Sequence, residues 1–297
     1  MGVAAAMAVL ESTDLVHGPI EALFTIDEET GMTGAFGLKA GLLDGDILLN
    51  MDSEDEGELY VGCAGGTNAN IRFDYTDEPV PSGFKAIKLS VFGLKGGHSG
   101  IDIPLERGNS NKILFRFLYE ASQKRTLLIS ELNGGSLRNA IPRESFGVIL
   151  VASEELASLK EELALYEKTI QAEYSSADPG AGLKIEEASM PSSVLDSNTT
   201  GRLIKAIYAC PNGVVRMSTD MDGLVETSTN LAIVKTENGG VDILCLLRSS
   251  VDSAREDLKS QFTCVFELAG ADIGFDGEYP GWKPDMDSAI LKASQKV

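Results

Sequence analysis

Residues 20–31 read IEALFTIDEETG, a largely apolar run that leads directly into three consecutive acidic residues. Residues 46–54, DILLNMDSE, repeat this pattern. Short apolar runs that end in polar residues are typical of buried β-strands. Two such strands, joined by a connection of roughly 20 residues, favour an α/β architecture in which side chains at the carboxyl ends of strands line the ligand crevice.

The acidic residues at the two predicted strand ends are candidates for catalysis. Glu28 and Glu29 are adjacent, so their side chains point in different directions. One carboxylate can therefore hold a metal ion while the other faces the water that the metal activates. Asp52, at the end of the second strand, would reach the same crevice. The alternative is a solvated acidic turn, which is common in acidic chains.

The composition of the 297-residue chain narrows the classes of function. Its net charge of -20 should repel nucleic-acid phosphates, and its hydrophobic content of 43% is ordinary for a folded protein. No apolar run approaches the roughly 20 residues of a membrane-spanning helix, and residues 1–10 lack the Lys or Arg that begins a signal peptide. We therefore expect a cytoplasmic protein that binds neither nucleic acid nor membranes.

Cysteine and histidine are scarce in this chain. The four cysteines lie far apart, which indicates neither a disulfide framework nor a thiolate zinc site, and we expect most to be reduced core residues. The two histidines, His17 and His98, offer little imidazole for a metal site or a Ser/His/Asp triad. His17 has no carboxylate motif beside it and is interpreted as a loop residue.

The pattern changes after Gly65-Gly66, where we expect a second domain to begin. Ile87, Leu89 and Val91 alternate with polar residues as in a half-exposed strand, and Asn238-Gly239 predicts a hairpin turn. Periodicity and capping residues predict helices at about 109–122, 156–170, 200–210 and 253–269, and strands at about 126–131, 144–151, 229–235 and 241–248.

Two glycine-bounded loops and one strand end supply further candidates in this second domain. His98 lies among three glycines, where a polar side chain can donate to a developing oxyanion, although an ordinary turn histidine is the alternative. Asn139 lies in the loop NGGSLRNAIP at 133–142. Arg248 closes a strand and can grip a carboxylate through two hydrogen bonds, or can be an exposed strand-terminal charge.

Taken in order, the motifs of the chain resemble those of the aminoacyl-histidine dipeptidases. These form a branch of the dizinc peptidases, which also include carnosinases, carboxypeptidases and amino-acid deacylases. The motifs are VHGP at 16–19, EExGMxGAFGL at 28–38, DSE at 52–54, GCAGG at 62–66, GLKGGHSG at 93–100, NGGxLRNAIPR at 133–143, ETS at 226–228 and YPGW at 279–282. The resemblance runs through nearly the whole chain.

The resemblance implies roles for the acidic candidates. Glu28 would be the general base that takes a proton from a metal-bound water, and Glu29 and Asp52 would be ligands in a site with two zinc ions.

The resemblance also implies how a dipeptide substrate would be held. His98 would stabilise the tetrahedral oxyanion, while Asn139 and Arg248 would hold the terminal carboxylate. In the family the counterpart of His98 often serves the site of the partner subunit, which implies a homodimer.

The domain organisation implied by the resemblance is α/β with a large insertion. Residues 1–65 would be a fragment of the catalytic domain with an incomplete phosphorylase/hydrolase-like sheet, residues 66–278 an α+β lid or dimerisation domain, and residues 279–297 a return to the catalytic domain. The family's His-x-Asp ligands and bridging Asp are expected before residue 1, and its last zinc-binding His after residue 297. Because zinc requires three or four donors, we expect weak zinc binding, an incompletely packed catalytic fragment and little activity in this chain.

Two other functions stay open from the sequence. One is a non-catalytic dimerisation or regulatory module that retains only the lid interface. The other is a different peptidase or deacylase of the same wider family.

Overall fold

The computed structural model describes residues 1–28, 32–52 and 57–296, which form two compact units. The larger unit is Gly62–Pro284, and the smaller combines Met1–Val61 with the segment from Asp285 onward. These limits lie close to the predicted domain limits at residues 65 and 278. The assignment of the units as lid and catalytic fragment stays a prediction.

The regular elements are numbered in chain order. The strands are β1 (Gly65–Asp74), β2 (Asp77–Glu78), β3 (Phe84–Phe92), β4 (Gly97–His98), β5 (Leu128–Gly134), β6 (Ala140–Ile141), β7 (Ser145–Ala152), β8 (Gly182–Glu187), β9 (Val194–Leu195), β10 (Gly213–Met217), β11 (Val225–Glu237), β12 (Gly240–Ser249) and β13 (Asp272–Tyr279). The α-helices are α1 (Gly2–Glu11), α2 (Thr33–Phe36), α3 (Ser110–Ser122), α4 (Leu156–Glu173), α5 (Ser197–Ala209), α6 (Asp252–Leu268) and α7 (Ala289–Ser294). Single 3-10 turns occur at Ile103–Leu105 and Ser153–Glu155.

An antiparallel sheet is the framework of the larger unit. Its strand order is β13-β1-β12-β11-β5-β7-β3-β8, and β10 pairs with the first part of β11 while β5 pairs with its later part. β2 pairs with β9, and β4 with β6, as separate two-stranded ladders. The β4–β6 ladder carries one of the candidate site residues.

The hydrophobic core lies on one side of this sheet. In β1, Ala69, Ile71 and Phe73 are buried, whereas the intervening side chains are only partly covered, as the two-residue period of a strand requires. Helix α6 closes the core over β1 and β12, and its fully buried Phe266 meets Phe73 edge to face at 6.3 Å between ring centroids. The opposite side of β1 and β12 is therefore free to carry polar residues.

Local sequence signals explain the helix and turn positions. The Asn109 side chain accepts a hydrogen bond from the Lys112 amide at the start of α3, and Asp196 caps α5 in the same way. Asn238 and Gly239 have φ angles of 50° and 73°, as a two-residue hairpin turn requires. The predicted hairpin turn and the helices and strands predicted for the larger unit are confirmed, with differences of a few residues at their ends.

The strands predicted at residues 20–26 and 46–51 are wrong. Neither segment is a strand in the described part of the smaller unit, where the regular elements are α1, α2 and α7. A strand exists only when its amide and carbonyl groups meet those of a neighbouring strand, and no described segment supplies that partner. Apolar side chains such as Ile26 and Leu48 are consequently 75% and 76% exposed.

Two further sequence expectations are tested by burial and helix length. Cys210 and Cys245 are buried, but Cys63 and Cys264 are exposed, so half of the cysteines rather than most are core residues. In the described part of the chain, no helix has the length and apolar character needed to cross a lipid bilayer.

Candidate active site

The candidate residues of the larger unit lie on the polar side of the sheet and in the loops beside it. Arg248, near the end of β12, is paired with Gly66 of β1 on one side and with Ser228 of β11 on the other. Gly66 and Ser228 are small, so neither neighbour covers the arginine. The position of Arg248 is therefore fixed by the central ladder of the sheet, while its guanidinium is only partly buried.

The guanidinium of Arg248 is held at one nitrogen. Nη1 donates to the hydroxyl of Tyr279 at 3.3 Å. Nε is buried and has no hydrogen-bond partner among the described residues. Because buried N–H groups in native proteins are normally satisfied, this free donor points to a ligand with acceptor oxygens.

His98 is positioned by a loop that only glycine permits. Gly96 and Gly97 have φ angles of 67° and 145°, and a Cβ added at Gly97 would lie 2.5 Å from Asp102 Oδ2. The Asp102 carboxylate accepts from the backbone amide of His98 at 2.8 Å. β4 then pairs with β6, which places His98 opposite Ala140.

The imidazole of His98 is oriented by backbone amides. Its Nδ1 accepts from the amides of Gly100 and Ile101 at 3.2 and 3.1 Å. Burial lowers the pKa of His98, and the positive charge of Arg248 lowers it further, while Asp102 opposes both effects. Burial and Arg248 therefore favour the neutral ring, and the two amide bonds to Nδ1 place its proton on Nε2, which is the form that can donate to an oxyanion.

His98 and Arg248 meet on either side of Gly100. A Cβ added at Gly100 would lie 3.1 Å from His98 Cε1 and 3.4 Å from Arg248 Cζ. A larger residue would separate or displace these two side chains. The structure therefore brings together a neutral hydrogen-bond donor and a cation, which suits a ligand carrying both a polarised carbonyl and a carboxylate.

Asn139 joins this region through its backbone. Its carbonyl accepts from the amide of Ser99 at 2.8 Å, and its side chain is exposed. The neighbouring Ala140 carbonyl accepts from Nδ2 of Asn230 at 2.7 Å, and Asn230 is almost fully buried. The described contacts do not bring the Asn139 side chain to Arg248, so their shared role stays a prediction.

The three predicted acidic residues belong to the smaller unit. Glu28 and Asp52 are exposed, and the amide of Asp52 donates to the Asn50 side chain at 3.0 Å. Glu29 lies outside the described residues. The described residues contain no group of three or more His, Cys, Asp or Glu side chains that could hold a metal ion. The shared crevice of Glu28, Glu29 and Asp52 stays a prediction.

The sequence alone did not assign roles to several residues of this site. Tyr279 and Asn230 contact or support the candidates from other parts of the chain, and Asp102 supports His98 from the same loop. In the sequence, Tyr279 is marked only by its place in the YPGW motif, and Gly66, which is paired with Tyr279 in the sheet, by its place in the GCAGG motif. A motif indicates that a residue is constrained, but it does not say which residue it contacts.

Comparison with known proteins relates the chain to bacterial dipeptidases. Residues 89–178 match the family model described as a peptidase dimerisation domain, M20_dimer. The cytosol non-specific dipeptidase of Escherichia coli (strain K12) is 42% identical over 291 residues, which are 98% of this chain and 60% of that protein. The crystal structure of the aminoacylhistidine dipeptidase from Vibrio alginolyticus is 49% identical, with a TM-score of 0.92 over 98% of this chain and 59% of that one.

These matches test the fold prediction. The mixed α/β fold with a large dimerisation domain is confirmed by the Vibrio structure and by the domain match. The chain spans about three fifths of the length of both dipeptidases.

Proposed function

We propose that the complete protein hydrolyses dipeptides, because this chain is similar to the aminoacylhistidine and cytosol non-specific dipeptidases over 98% of its length. The observation that carries the proposal is the pairing of His98 with Arg248 around Gly100. A dipeptide presents a scissile carbonyl and a terminal carboxylate a few ångströms apart, which matches a neutral donor beside a guanidinium. The Vibrio relative is an aminoacylhistidine dipeptidase, so dipeptides that end in His are the first substrates to test.

In the proposed reaction, His98 and Arg248 act on different parts of the substrate. His98 donates from Nε2 to the oxygen that becomes negatively charged when water adds to the carbonyl. Arg248 holds the terminal carboxylate through its free N–H groups, and Asn139 assists it. Oxyanion stabilisation by one donor contributes about 100- to 1,000-fold to the turnover of an acyl-transfer enzyme.

The acidic residues complete the proposal. Glu28 is the general base that takes a proton from the attacking water. A bound zinc pair would supply a lowered pKa for the attacking water and a polarised carbonyl, and Glu29 and Asp52 would be its ligands in this chain. Since the described residues do not by themselves form a donor set that fits zinc, we assign no step of the reaction to the metal.

The proposal includes assembly and location. The match to a peptidase dimerisation domain supports a homodimer formed through the larger unit. The Escherichia coli relative is named a cytosol enzyme, which supports a cytoplasmic location for this protein.

The test measures hydrolysis of dipeptides by the complete gene product supplied with zinc. The mass of the protein in solution is measured as well, to establish whether it is a dimer. E28Q should lower kcat by about 100- to 10,000-fold, the range for loss of a general base. An unchanged rate in E28Q excludes Glu28 as the base. A protein that dimerises but neither binds zinc nor cleaves any of the peptides would instead support the non-catalytic dimerisation module.

A further inference from the structure

We propose that Tyr279 is a positioning residue, whose hydroxyl sets the orientation of the Arg248 guanidinium so that its remaining N–H groups face the substrate carboxylate. This inference rests on the proposed function, because it assigns a purpose to the carboxylate contact of Arg248. It concerns a residue that touches the arginine rather than the reacting atoms.

The contact spans three strands. Gly66 of β1 is paired with Arg248 of β12 on one side and with Tyr279 of β13 on the other. Two strand spacings separate the arginine and tyrosine backbones by about 10 Å, so their side chains can meet only by reaching over the residue between them. They do so, at 3.3 Å between Nη1 and the hydroxyl.

Gly66 makes this reach possible. A Cβ at this position would lie 2.6 Å from both Cζ and the hydroxyl oxygen of Tyr279. The tyrosine ring therefore lies directly over the glycine, in space that any other residue would fill. Gly66 needs no unusual φ angle for this, so its missing side chain is the property that the contact uses.

A β-bulge turns Tyr279 onto the polar side of the sheet. Along β1 the partners change from Asn68 with Asp276 to Gly66 with Tyr279, so β13 contains one extra residue between them. Gly277, within this bulge, has a φ angle of 58°. Without the extra residue, Glu278 would stand opposite Gly66, because side chains alternate between the two sides of a strand.

The strand end that carries Tyr279 is fixed from the other side. Arg255 of α6 is almost fully buried; its Nη1 donates to the Tyr279 carbonyl at 2.5 Å and its Nη2 to Glu278 Oε1 at 2.8 Å. The first bond holds the backbone carbonyl of Tyr279, and the second holds the side chain of the residue before it. Arg255 therefore restrains the strand end from which the Tyr279 hydroxyl reaches Arg248.

The orientation produced suits a carboxylate. With Nη1 bonded to Tyr279, the edge formed by Nε and Nη2 of Arg248 carries no hydrogen bond to a described residue. Two parallel N–H groups on one edge are the geometry that binds both oxygens of a carboxylate. Loss of the hydroxyl would leave the guanidinium free to rotate and would weaken this binding.

The experiment compares a dipeptide with its C-terminal amide in the complete, zinc-loaded protein. Y279F should raise KM for the dipeptide by about 2- to 10-fold, the effect of one net hydrogen bond, with kcat unchanged because the carboxylate contact is the same in the ground and transition states. The amide should show no change in KM. A merely structural role for Tyr279 would affect both substrates alike.

Three variants serve as references. R248K retains the positive charge but lacks the paired N–H groups of the guanidinium, and should abolish most of the preference for the acid over the amide. G66A should reproduce the effect of Y279F, because its Cβ displaces the ring. Y208F is the matched control: Tyr208 is exposed, stacks on Tyr119 and has no hydroxyl hydrogen bond to a described residue, so its kinetics should equal those of the wild type.

The outcomes separate this inference from the proposed function. If R248K loses the acid preference while Y279F and G66A keep the wild-type ratio, the positioning role of Tyr279 is overturned and the dipeptidase proposal stands. If the wild-type protein does not cleave the dipeptide, the proposed function itself fails and this inference fails with it. If it cleaves acid and amide equally, dipeptide hydrolysis stands, but the carboxylate contact of Arg248 fails and this inference fails with that contact.

Discussion

Replacement of Asn230 by leucine tests whether a buried amide holds the loop that carries Asn139 and faces His98. Asn230 is 1% exposed, and its Nδ2 donates to the Ala140 carbonyl at 2.7 Å. Leucine has a similar size but no donor, so the carbonyl loses its partner. A buried polar group left unsatisfied costs about 1–3 kcal/mol; since Ala140 itself is half-buried, we expect about 1–2 kcal/mol for N230L.

This loss corresponds to a measurable change in melting temperature. The larger unit runs from residue 62 to residue 284, which is 284 - 62 + 1 = 223 residues. For a unit of this size, each kcal/mol shifts Tm by about 2–4 °C, so N230L should melt about 2–8 °C below the wild type. Because Ala140 is paired with His98, N230L should also reduce dipeptide turnover at temperatures where the protein is fully folded.

The assay is calorimetry or circular dichroism on the wild type, N230L and a control. N198L is the matched control, because Asn198 is exposed on the first turn of α5 and has no side-chain hydrogen bond to a described residue. Exposed substitutions of this kind change stability by less than about 0.5 kcal/mol. A Tm for N230L within 1 °C of the control would refute the role given to the amide.

Three further predictions follow from the burial, the backbone angles and the proposed metal. Burial and Arg248 lower the pKa of His98 in the folded chain. Below the unfolded-state pKa of about 6.5, the unfolded chain therefore takes up a proton more readily than the folded chain, and the free energy of unfolding should fall as the pH decreases. H98Q lacks this group, so its urea midpoint should differ less between pH 7.5 and pH 5.5 than that of the wild type. G201A should raise the free energy of unfolding by about 0.5–1 kcal/mol, because a Cβ at Gly201 in helix α5 meets nothing within 4 Å and needs no unusual φ; a lower urea midpoint would contradict this. Dialysis against a chelator should abolish dipeptide hydrolysis and zinc should restore it, whereas activity that survives complete metal removal would remove zinc from the proposal.

The sequence predicted the α-helices of the larger unit and its strands β3, β5, β7, β11 and β12 because their signals are local. An Asn cap and the spacing of apolar residues predict helix α3, and Asn238-Gly239 predicts the turn between β11 and β12. The wrong strands at residues 20–26 and 46–51 show the limit of the same reasoning. An apolar run indicates that its side chains favour burial. A strand also needs a neighbouring strand whose backbone it can pair with, and the sequence of a single segment does not specify that neighbour.

The candidate site was predictable in its individual residues but not in its contacts. His98 and Arg248 stood out because of a glycine-rich loop and a strand-terminal charge. Their meeting across Gly100, and the contact of Arg248 with Tyr279 over Gly66, depend on the register of three strands and on a bulge. Register is a property of the assembled sheet, since a shift of one residue would send each of these side chains to the opposite face.

The two backbone amides that donate to His98 make its ring spectroscopically distinguishable from that of His17. Because Nδ1 of His98 accepts two N–H bonds, its neutral ring is the Nε2–H tautomer. In His17, Nδ1 lies 2.7 Å from the carbonyl oxygen of Gly18, which requires the Nδ1–H tautomer when that ring is neutral. These are the two histidines of the sequence, so ring ¹⁵N chemical shifts alone should assign both signals without a single substitution.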